Sequence, residues 1–205
     1  MDVGRAFSYP FRDPAWIKKV LIGAVLLIIP IFGILTLVGY GMQIMRNVVS
    51  GSDETLPEWA DIGTYFVDGV KAFIVGLFWS IPALLIHLIN LGPDSLALNC
   101  LGSLINVICS VLAAIAVVAV AVSRDFNAGF QVGTVINRLT RNFGDWVIVF
   151  LLTFVLGIVA LAGVVACVVG VFATIAYAYV VQAHLWAQAF RRTEGMGDLA
   201  PAPRF

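Results

Sequence analysis

Charged side chains are scarce in this sequence, and their scarcity decides which solvent the chain requires. Lysine, arginine, aspartate and glutamate make up 12% of the 205 residues, whereas the charged fraction of soluble proteins is about a quarter. Hydrophobic residues account for 61%, and the mean hydropathy is +1.00. A water-soluble domain of this size cannot hide so much apolar surface, so we predict an integral membrane protein.

Residues that carry chemistry are also few. The 12 basic and 12 acidic residues cancel, and the absence of any polybasic run argues against nucleic-acid binding. An odd number of widely spaced cysteines in apolar runs matches neither a disulfide framework nor a zinc site; they are Cys100, Cys109 and Cys167. No nucleophile–base pair, metal-ligand cluster or phosphate loop is recognisable. We therefore expect no enzyme activity and no cofactor or metal.

Three long blocks are nearly free of charge: Val20–Met45, Ala72–Ser123 with Asp94 as its one interruption, and Trp146–Phe190. About 20 helical residues cross a hydrocarbon core of about 30 Å. The middle block divides at the breaker cluster 91–95, and the last block divides around 162–164. These two hairpins predict four full spans in an all-α, polytopic bundle.

The first block has a break at Pro30–Gly33, and charge distribution favours a return at that point. A single crossing would leave four basic residues on one side and eight on the other. If the chain instead turns back, all 12 basic residues face the cytoplasm, as the positive-inside tendency requires. We predict an N-terminal re-entrant hairpin over 20–45, with a single tilted span as the alternative.

The segments before the second and third blocks show helical amphipathicity. They favour interfacial helices with Trp59 and Trp146 as anchors, and ordinary loops are the alternative. We expect one multi-pass domain in the cell membrane with both termini cytoplasmic. Its segments are a cytoplasmic start (1–19), the re-entrant hairpin (20–45), an amphipathic loop (46–71), a helical hairpin (72–123), a second amphipathic segment (124–145), another hairpin (146–190) and a tail (191–205).

Several short runs together resemble a known family. They include Ala6–Phe11, Gly39–Tyr40, Leu56–Trp59, Val67–Lys71 and the later Gln182–His184. In these runs, and in the Pro30–Gly33 break, the chain resembles an uncharacterised prokaryotic membrane family, domain of unknown function 4013. The resemblance covers about residues 6–192, and Leu56–Trp59 is its most specific part. It implies a membrane fold and a bacterial or archaeal origin, and it supplies no catalytic residues.

Two histidines, His87 and His184, lie in apolar helices, where an ionisable side chain is costly. Ala83 precedes His87 by one turn, so a small residue shares its face, as a tetrapyrrole lying against a helix would need. An interhelical hydrogen bond is the simpler interpretation of both histidines. A tetrapyrrole-binding subunit with His87 as ligand is the alternative hypothesis.

A polar stripe follows the third predicted span at spacings of 4, 3 and 4 residues: Asn99, Ser103, Asn106 and Ser110. It indicates either helix packing through side-chain hydrogen bonds or a path for a neutral solute. A second polar feature is the acidic first loop, with Asp53, Glu54, Glu58, Asp61 and Asp68. Without calcium-loop spacing, it indicates a solvated loop or a docking surface for a basic partner.

These patterns favour a non-catalytic scaffold or accessory subunit that packs against other membrane proteins or itself, surrounded by membrane lipids. Gly157, Ala160 and Gly163 would allow close helix contact. A small channel or facilitator that uses the polar stripe is the competing hypothesis.

Overall fold

The computed structural model describes residues 2–89, 96–163 and 167–195, and these residues form helices and short connections with no β-strand among them. A 3₁₀ turn follows the first helix, and a second, Phe126–Phe130, follows the fifth. The helices are α1 Val3–Ser8, α2 Trp16–Leu26, α3 Pro30–Ser50, α4 Ile62–Ile89, α5 Leu96–Ser123, α6 Val132–Arg141, α7 Phe143–Ala162 and α8 Cys167–Thr193.

Three described helices are long and apolar enough to cross a membrane: Ile62–Leu88, Leu98–Ser123 and Phe143–Leu161. The predicted all-helical membrane bundle is confirmed to that extent. The fourth full span and the re-entrant hairpin stay predictions. The breaker cluster 91–95, expected to turn the middle block, lies outside the described residues, whereas Gly163 caps α7 within the predicted 162–164 turn.

The first apolar block is a helical hairpin that turns at residues 27–29. Pro30 begins α3, a position where proline loses no helical hydrogen bond. Gly33 then passes so close to α2 that a Cβ there would overlap the Leu26 carbonyl. The two arms are unequal, with 11 residues in α2 and 21 in α3. The second arm is longer than expected because α3 continues to Ser50 and ends at Gly51, whose φ of 76° suits glycine.

Helix α3 lies at the centre of the bundle and contacts α2, α4, α5 and α8. Its crossing with α4 depends on two glycines. A Cβ at Gly39 would overlap the Tyr65 carbonyl, and a Cβ at Gly69 would overlap the Leu35 carbonyl. The two backbones therefore touch, which is the kind of contact that small residues allow between membrane helices.

The amphipathic segments differ from expectation in one case. Residues 62–71 are not a separate interfacial helix; they form the first turns of α4, because the helical pattern continues without a break into the apolar block. The later segment does form a separate amphipathic helix, α6, which ends at Arg141 with Asn142 as its C-cap.

The two tryptophans expected to anchor the chain in lipid headgroups have different environments. Trp146 is 1% exposed, and its indole N–H donates to the Arg138 carbonyl. The anchor prediction is wrong for Trp146 because its ring is buried in the protein. Trp59 is half-buried, and its indole N–H donates to the Lys19 carbonyl, so its role as an anchor stays a prediction.

The small residues expected to allow close helix contact differ in their surroundings. At Gly163 a Cβ would overlap Thr174 and approach Gly170 of α8, so this glycine permits close approach within the chain. The carbonyl of Ala160 accepts a hydrogen bond from Thr174 at 3.0 Å. Gly157 faces open space, so its role in a contact with another molecule stays a prediction.

We expect Gly69→Ala to lower the free energy of unfolding by about 1–3 kcal/mol or more, because the new methyl has no room against α3. Gly76→Ala is the matched control in the same helix. No atom lies within 4 Å of a Cβ there, so alanine should stabilise the helix by about 0.5–1 kcal/mol. Thermal unfolding of both purified variants in one detergent checks this, and equal shifts would contradict it.

Candidate functional site in a buried polar layer

Ionisable residues are buried around the connection between α3 and α4. We call residues 51–61 the α3–α4 loop. The buried charged and titratable residues that surround it form what we call the polar layer: Asp13, Lys19, Asp53, Asp68 and His184, each at most 5% exposed. A buried charge is stable only when it is paired and hydrogen-bonded, so the partners of these five residues define the site.

Four successive backbone carbonyls of the α3–α4 loop accept hydrogen bonds from side chains of four different parts of the chain. The phenol of Tyr9 donates to Thr55 at 3.0 Å, and Lys19 Nζ donates to Leu56 at 2.8 Å. The remaining two donors are tyrosines: Tyr40 donates to Pro57 at 2.9 Å and Tyr65 donates to Glu58 at 2.7 Å. Residues 55–58 are thus the point where the N-terminal segment, α2, α3 and α4 meet.

Aromatic packing closes the same region from the side. Tyr40 and Trp59 stack with ring centroids 4.0 Å apart and planes 5° from parallel. Tyr65 meets both rings edge-on, at 5.6 Å and 5.8 Å. Such pairs add about 0.5–1.5 kcal/mol each beyond area burial, so the loop is fixed by stacking as well as by hydrogen bonds.

Lys19 is the charged centre of the first cluster. Its ammonium group contacts the carboxylates of Asp13, at 2.7 Å, and Glu58. Asp13 also accepts the backbone N–H of Leu56 at 3.1 Å. Burial alone would raise the pKa of Asp13, but the hydrogen bond and charge of Lys19 and the backbone N–H groups of Ala15 and Leu56 together outweigh it and hold that pKa below its usual range.

Asp53 and His184 form the second cluster. His184 Nε2 lies 3.0 Å from Asp53 Oδ2, and Arg5 contacts the other carboxylate oxygen at 2.7 Å. His184 Nδ1 lies 3.0 Å from Gln188 Nε2. Burial would raise the pKa of Asp53, but the His184 hydrogen bond and the Arg5 charge outweigh it and lower that pKa.

The hydrogen-bond pattern selects one tautomer of His184. The Asp2 backbone N–H donates to Gln188 Oε1 at 2.8 Å, which fixes the amide orientation. The amide nitrogen then donates both to the Asp2 carbonyl, at 3.0 Å, and to His184 Nδ1. Nδ1 is therefore an acceptor, and Nε2 carries the proton that Asp53 accepts. The imidazole thus bridges Asp53 and Gln188.

Asp68 anchors the third cluster near the α3–α4 crossing. It contacts Arg46 at 2.7 Å and Lys71 at 3.0 Å. The Arg46 guanidinium also donates to the carbonyl of Ala121 in α5 at 2.8 Å. One arginine thus connects α3, α4 and α5.

These contacts correct the expectation for the acidic loop. Asp53 and Asp68 are not solvated residues or docking groups; they are buried and paired within the chain. Glu58 contacts Lys19, while Glu54 and Asp61 are exposed. The charges balance internally because a cation lies beside each buried carboxylate.

The histidines have different environments. His184 is fully buried, but its hydrogen bonds run to the α3–α4 loop and to its own helix, not to another helix as expected. His87 is exposed on α4 beside Gly102 of α5. Ala83, the small residue expected to leave space on the same face, is 3% exposed and packs into the bundle. The described residues therefore show no planar slot beside His87.

The polar stripe lies on the outside of the bundle. Asn99, Ser103, Asn106 and Ser110 share one face of α5, as predicted, and all four are exposed. The serine hydroxyls donate to carbonyls of their own helix, Ser103 to Asn99 at 2.9 Å and Ser110 to Val107 at 2.7 Å. The stripe does not line an interior path through the described part of the bundle.

The cysteines follow expectation only in part. Cys109 is buried, as expected for a packing residue, whereas Cys100 is exposed on α5. The side chain of Cys167 lies outside the described residues. Within the described ranges, no group of three or more histidine, cysteine, aspartate or glutamate residues is placed to hold a metal ion.

Sequence reasoning missed most of the polar layer. Its long-range pairs join residues far apart in the chain, such as Asp53 with His184 and Arg46 with Asp68. One signal was available: Lys19 lies at the edge of an apolar block with Asp13 six residues before it. The three tyrosine donors carried no sequence signal beyond their position near block ends.

The helices and the polar layer define an all-helical protein with three helices that are long and apolar enough to cross a membrane, and its buried ionisable residues pair within the chain. The family model described as "Protein of unknown function (DUF4013)" matches residues 22–169, well over half of the chain, and the chain belongs to this family. No curated protein and no solved structure matches it.

We expect Asp53→Asn to reduce the free energy of unfolding by about 1–3 kcal/mol, because the buried His184 and the partly exposed Arg5 both lose their charged acceptor. Glu54→Gln is the control at the adjacent, exposed position, where changes are typically within about 0.5 kcal/mol. Chemical denaturation in detergent followed by tryptophan fluorescence measures both. A loss no larger than that of the control would show that the Asp53 cluster is not a structural anchor.

Acid should also destabilise the protein through these carboxylates. The folded-state pKa values of Asp13 and Asp53 lie below the unfolded value of about 3.9. Their contribution is therefore complete above about pH 4 and is lost as the pH falls through the folded values. Stability measured from pH 7 to pH 3 should fall below pH 4, with a shallower dependence in Asp53→Asn. An unchanged slope would contradict this assignment.

Proposed function

We propose that this protein is a non-catalytic membrane scaffold or accessory subunit that packs against other membrane proteins or against itself. The observation that carries the proposal is the separation of its two surfaces. Its buried ionisable groups pair within the chain and fix the helices, whereas the outer faces of the spans are apolar apart from the polar stripe on α5. Leu104 on α5 is 64% exposed, and Phe154 on α7 is 70% exposed.

We also propose four full spans with a re-entrant hairpin and cytoplasmic termini. Helix α2 has 11 residues and is about 16 Å long, too short to cross a core of about 30 Å. The contact of Gly33 with Leu26 returns the chain alongside α2. The tip is apolar and open, with Ile28 63% and Ile31 77% exposed, as suits a wedge within lipid.

The paired charges support the same orientation. Arg5, Lys19, Arg46 and Arg138 all take part in ion pairs near the polar layer or the end of α8. With this end in the cytoplasm, the positive-inside tendency is satisfied. The ends of α4, α5, α7 and α8 away from the polar layer then face the outside of the cell.

A facilitator for a neutral solute is the competing function. The outward position of the polar stripe counts against a pathway within one chain. Tetrapyrrole binding by His87 is disfavoured by the burial of Ala83.

Reconstituted in liposomes, the purified protein should give glycerol and urea fluxes equal to those of empty vesicles, measured by stopped-flow light scattering. The same sample should show no visible absorption band, and it should elute from mild detergent as a complex of fixed stoichiometry. Flux that disappears in Asn106→Leu would establish the facilitator instead. A Soret band lost in His87→Ala would establish the tetrapyrrole subunit.

A further inference from the structure

The polar stripe on α5 has the spacing of a helix-pairing seam. Steps of 4, 3 and 4 residues place Asn99 and Asn106 at one heptad position and Ser103 and Ser110 at the other. A seven-residue repeat keeps one face directed at a partner helix in a left-handed pair. All four stripe residues lie inside the candidate span Leu98–Ser123, and Asn99 is close to its first residue.

Hydrocarbon is a poor environment for this face. Asn106 is exposed and lies about 12 Å into the span from Leu98, at 1.5 Å per residue. Lipid tails can neither donate to nor accept from a side-chain amide, so polar groups within a bilayer face protein or water. Since Asn106 does not face the interior of the described bundle, a neighbouring molecule is the remaining source of protein contact.

The same face of α5 shows how it is covered further along the helix. Below Ser110, Ala113, Ala114 and Val117 line a crevice of about 260 Å³ together with Gln182 and Ala183 of α8. Helix α8 thus lies beside this face in the half of the bundle nearer the polar layer, which we call the inner half; the other half is the outer half. None of the described residues buries it in the outer half, where the stripe is.

A second copy of this chain matches the stripe by symmetry. Copies inserted with one topology meet with their α5 helices parallel, and a two-fold axis along the membrane normal places each stripe residue opposite itself. The asparagine side chain is both donor and acceptor, so Asn106 can pair with Asn106 of the second copy. Serine is small enough to permit close approach at the alternate positions.

We propose that the protein forms a parallel homodimer through the outer half of α5, with Asn99, Ser103, Asn106 and Ser110 as its seam. This inference rests on the proposed packing function and names the partner. Leu104 and Ile108 are exposed at 64% and 53% but lie about 200° around the helix from Asn106, so they stay outside the seam.

Cysteine cross-linking in native membranes tests the geometry. The background carries Cys100→Ala, Cys109→Ala and Cys167→Ala, and its detergent elution must match that of the natural chain. Ser103→Cys, Asn106→Cys and Ser110→Cys should each form a disulfide-linked dimer under mild oxidation. Leu104→Cys and Ile108→Cys are the matched exposed controls and should give at least five-fold less. Equal yields at all five positions, or none at the seam positions, would overturn the proposal.

A variant that keeps the fold provides the second test. Asn106→Leu puts an apolar side chain on an exposed membrane surface, and interhelical hydrogen bonds are worth about 0.6–2 kcal/mol. The dimer dissociation constant, measured by energy transfer during lipid dilution, should therefore rise about 3- to 30-fold, and Ile108→Leu should leave it unchanged. A monomer at every protein-to-lipid ratio would overturn the dimer.

The outcomes also separate this inference from the proposed function. If Asn106→Cys forms its disulfide only with a different polypeptide, the homodimer is wrong and the packing function stands. If the protein is monomeric and carries solute across liposomes, both are wrong.

Discussion

A loop that crosses the inside of a protein without forming a helix must find partners for its own peptide groups, and this requirement organises the structure. The carbonyls of residues 55–58 are not bonded to backbone N–H groups of a helix, and each accepts a hydrogen bond from a side chain of a different part of the chain. The donors are three tyrosines and one lysine. Their long side chains reach from their own segments to the loop, which the backbone N–H groups of those segments do not. Lys19, Tyr40 and Tyr65 belong to α2, α3 and α4. Their hydrogen bonds to the loop therefore fix the positions of these three helices relative to one another.

Close helix contact is the second condition, and it is met by glycine. Within lipid there is no hydrophobic drive to bring two apolar helices together, so packing must come from short backbone distances. Gly39 and Gly69 provide them where α3 crosses α4, and Gly33 does so where α3 turns away from α2. The hydrogen-bonded loop fixes the helices at one end, and the glycines keep them together along their length.

Much of the fold could be predicted because it is encoded locally. Uncharged blocks of sufficient length predicted helices, and the proline at residue 30 predicted the hairpin turn. The polar stripe was also predictable, since its members lie within 12 residues and a helix fixes their common face. The outward direction of that face was not, because it depends on which other helices pack against α5.

The candidate site could be predicted far less well. Asp53 and His184 are 131 residues apart, and nothing in the sequence of either one identifies the other. Acidic residues in a polar loop predict solvation, and only the folded chain shows that Arg5 and Arg46 neutralise two of them. The same limit applies to Trp59 and Trp146, since an indole near a membrane boundary can donate either to a headgroup or to a backbone carbonyl.

The contact between Asp2 and Gln188 joins residues 186 positions apart, which has a consequence for biogenesis. During synthesis, the first residues leave the ribosome long before α8 exists. Asp53 can therefore pair with His184 only after α8 has been synthesised and inserted. The N-terminal segment can contact α8 only at the same stage. A chain arrested before residue 184 would therefore hold the buried Asp53 carboxylate without its imidazole partner.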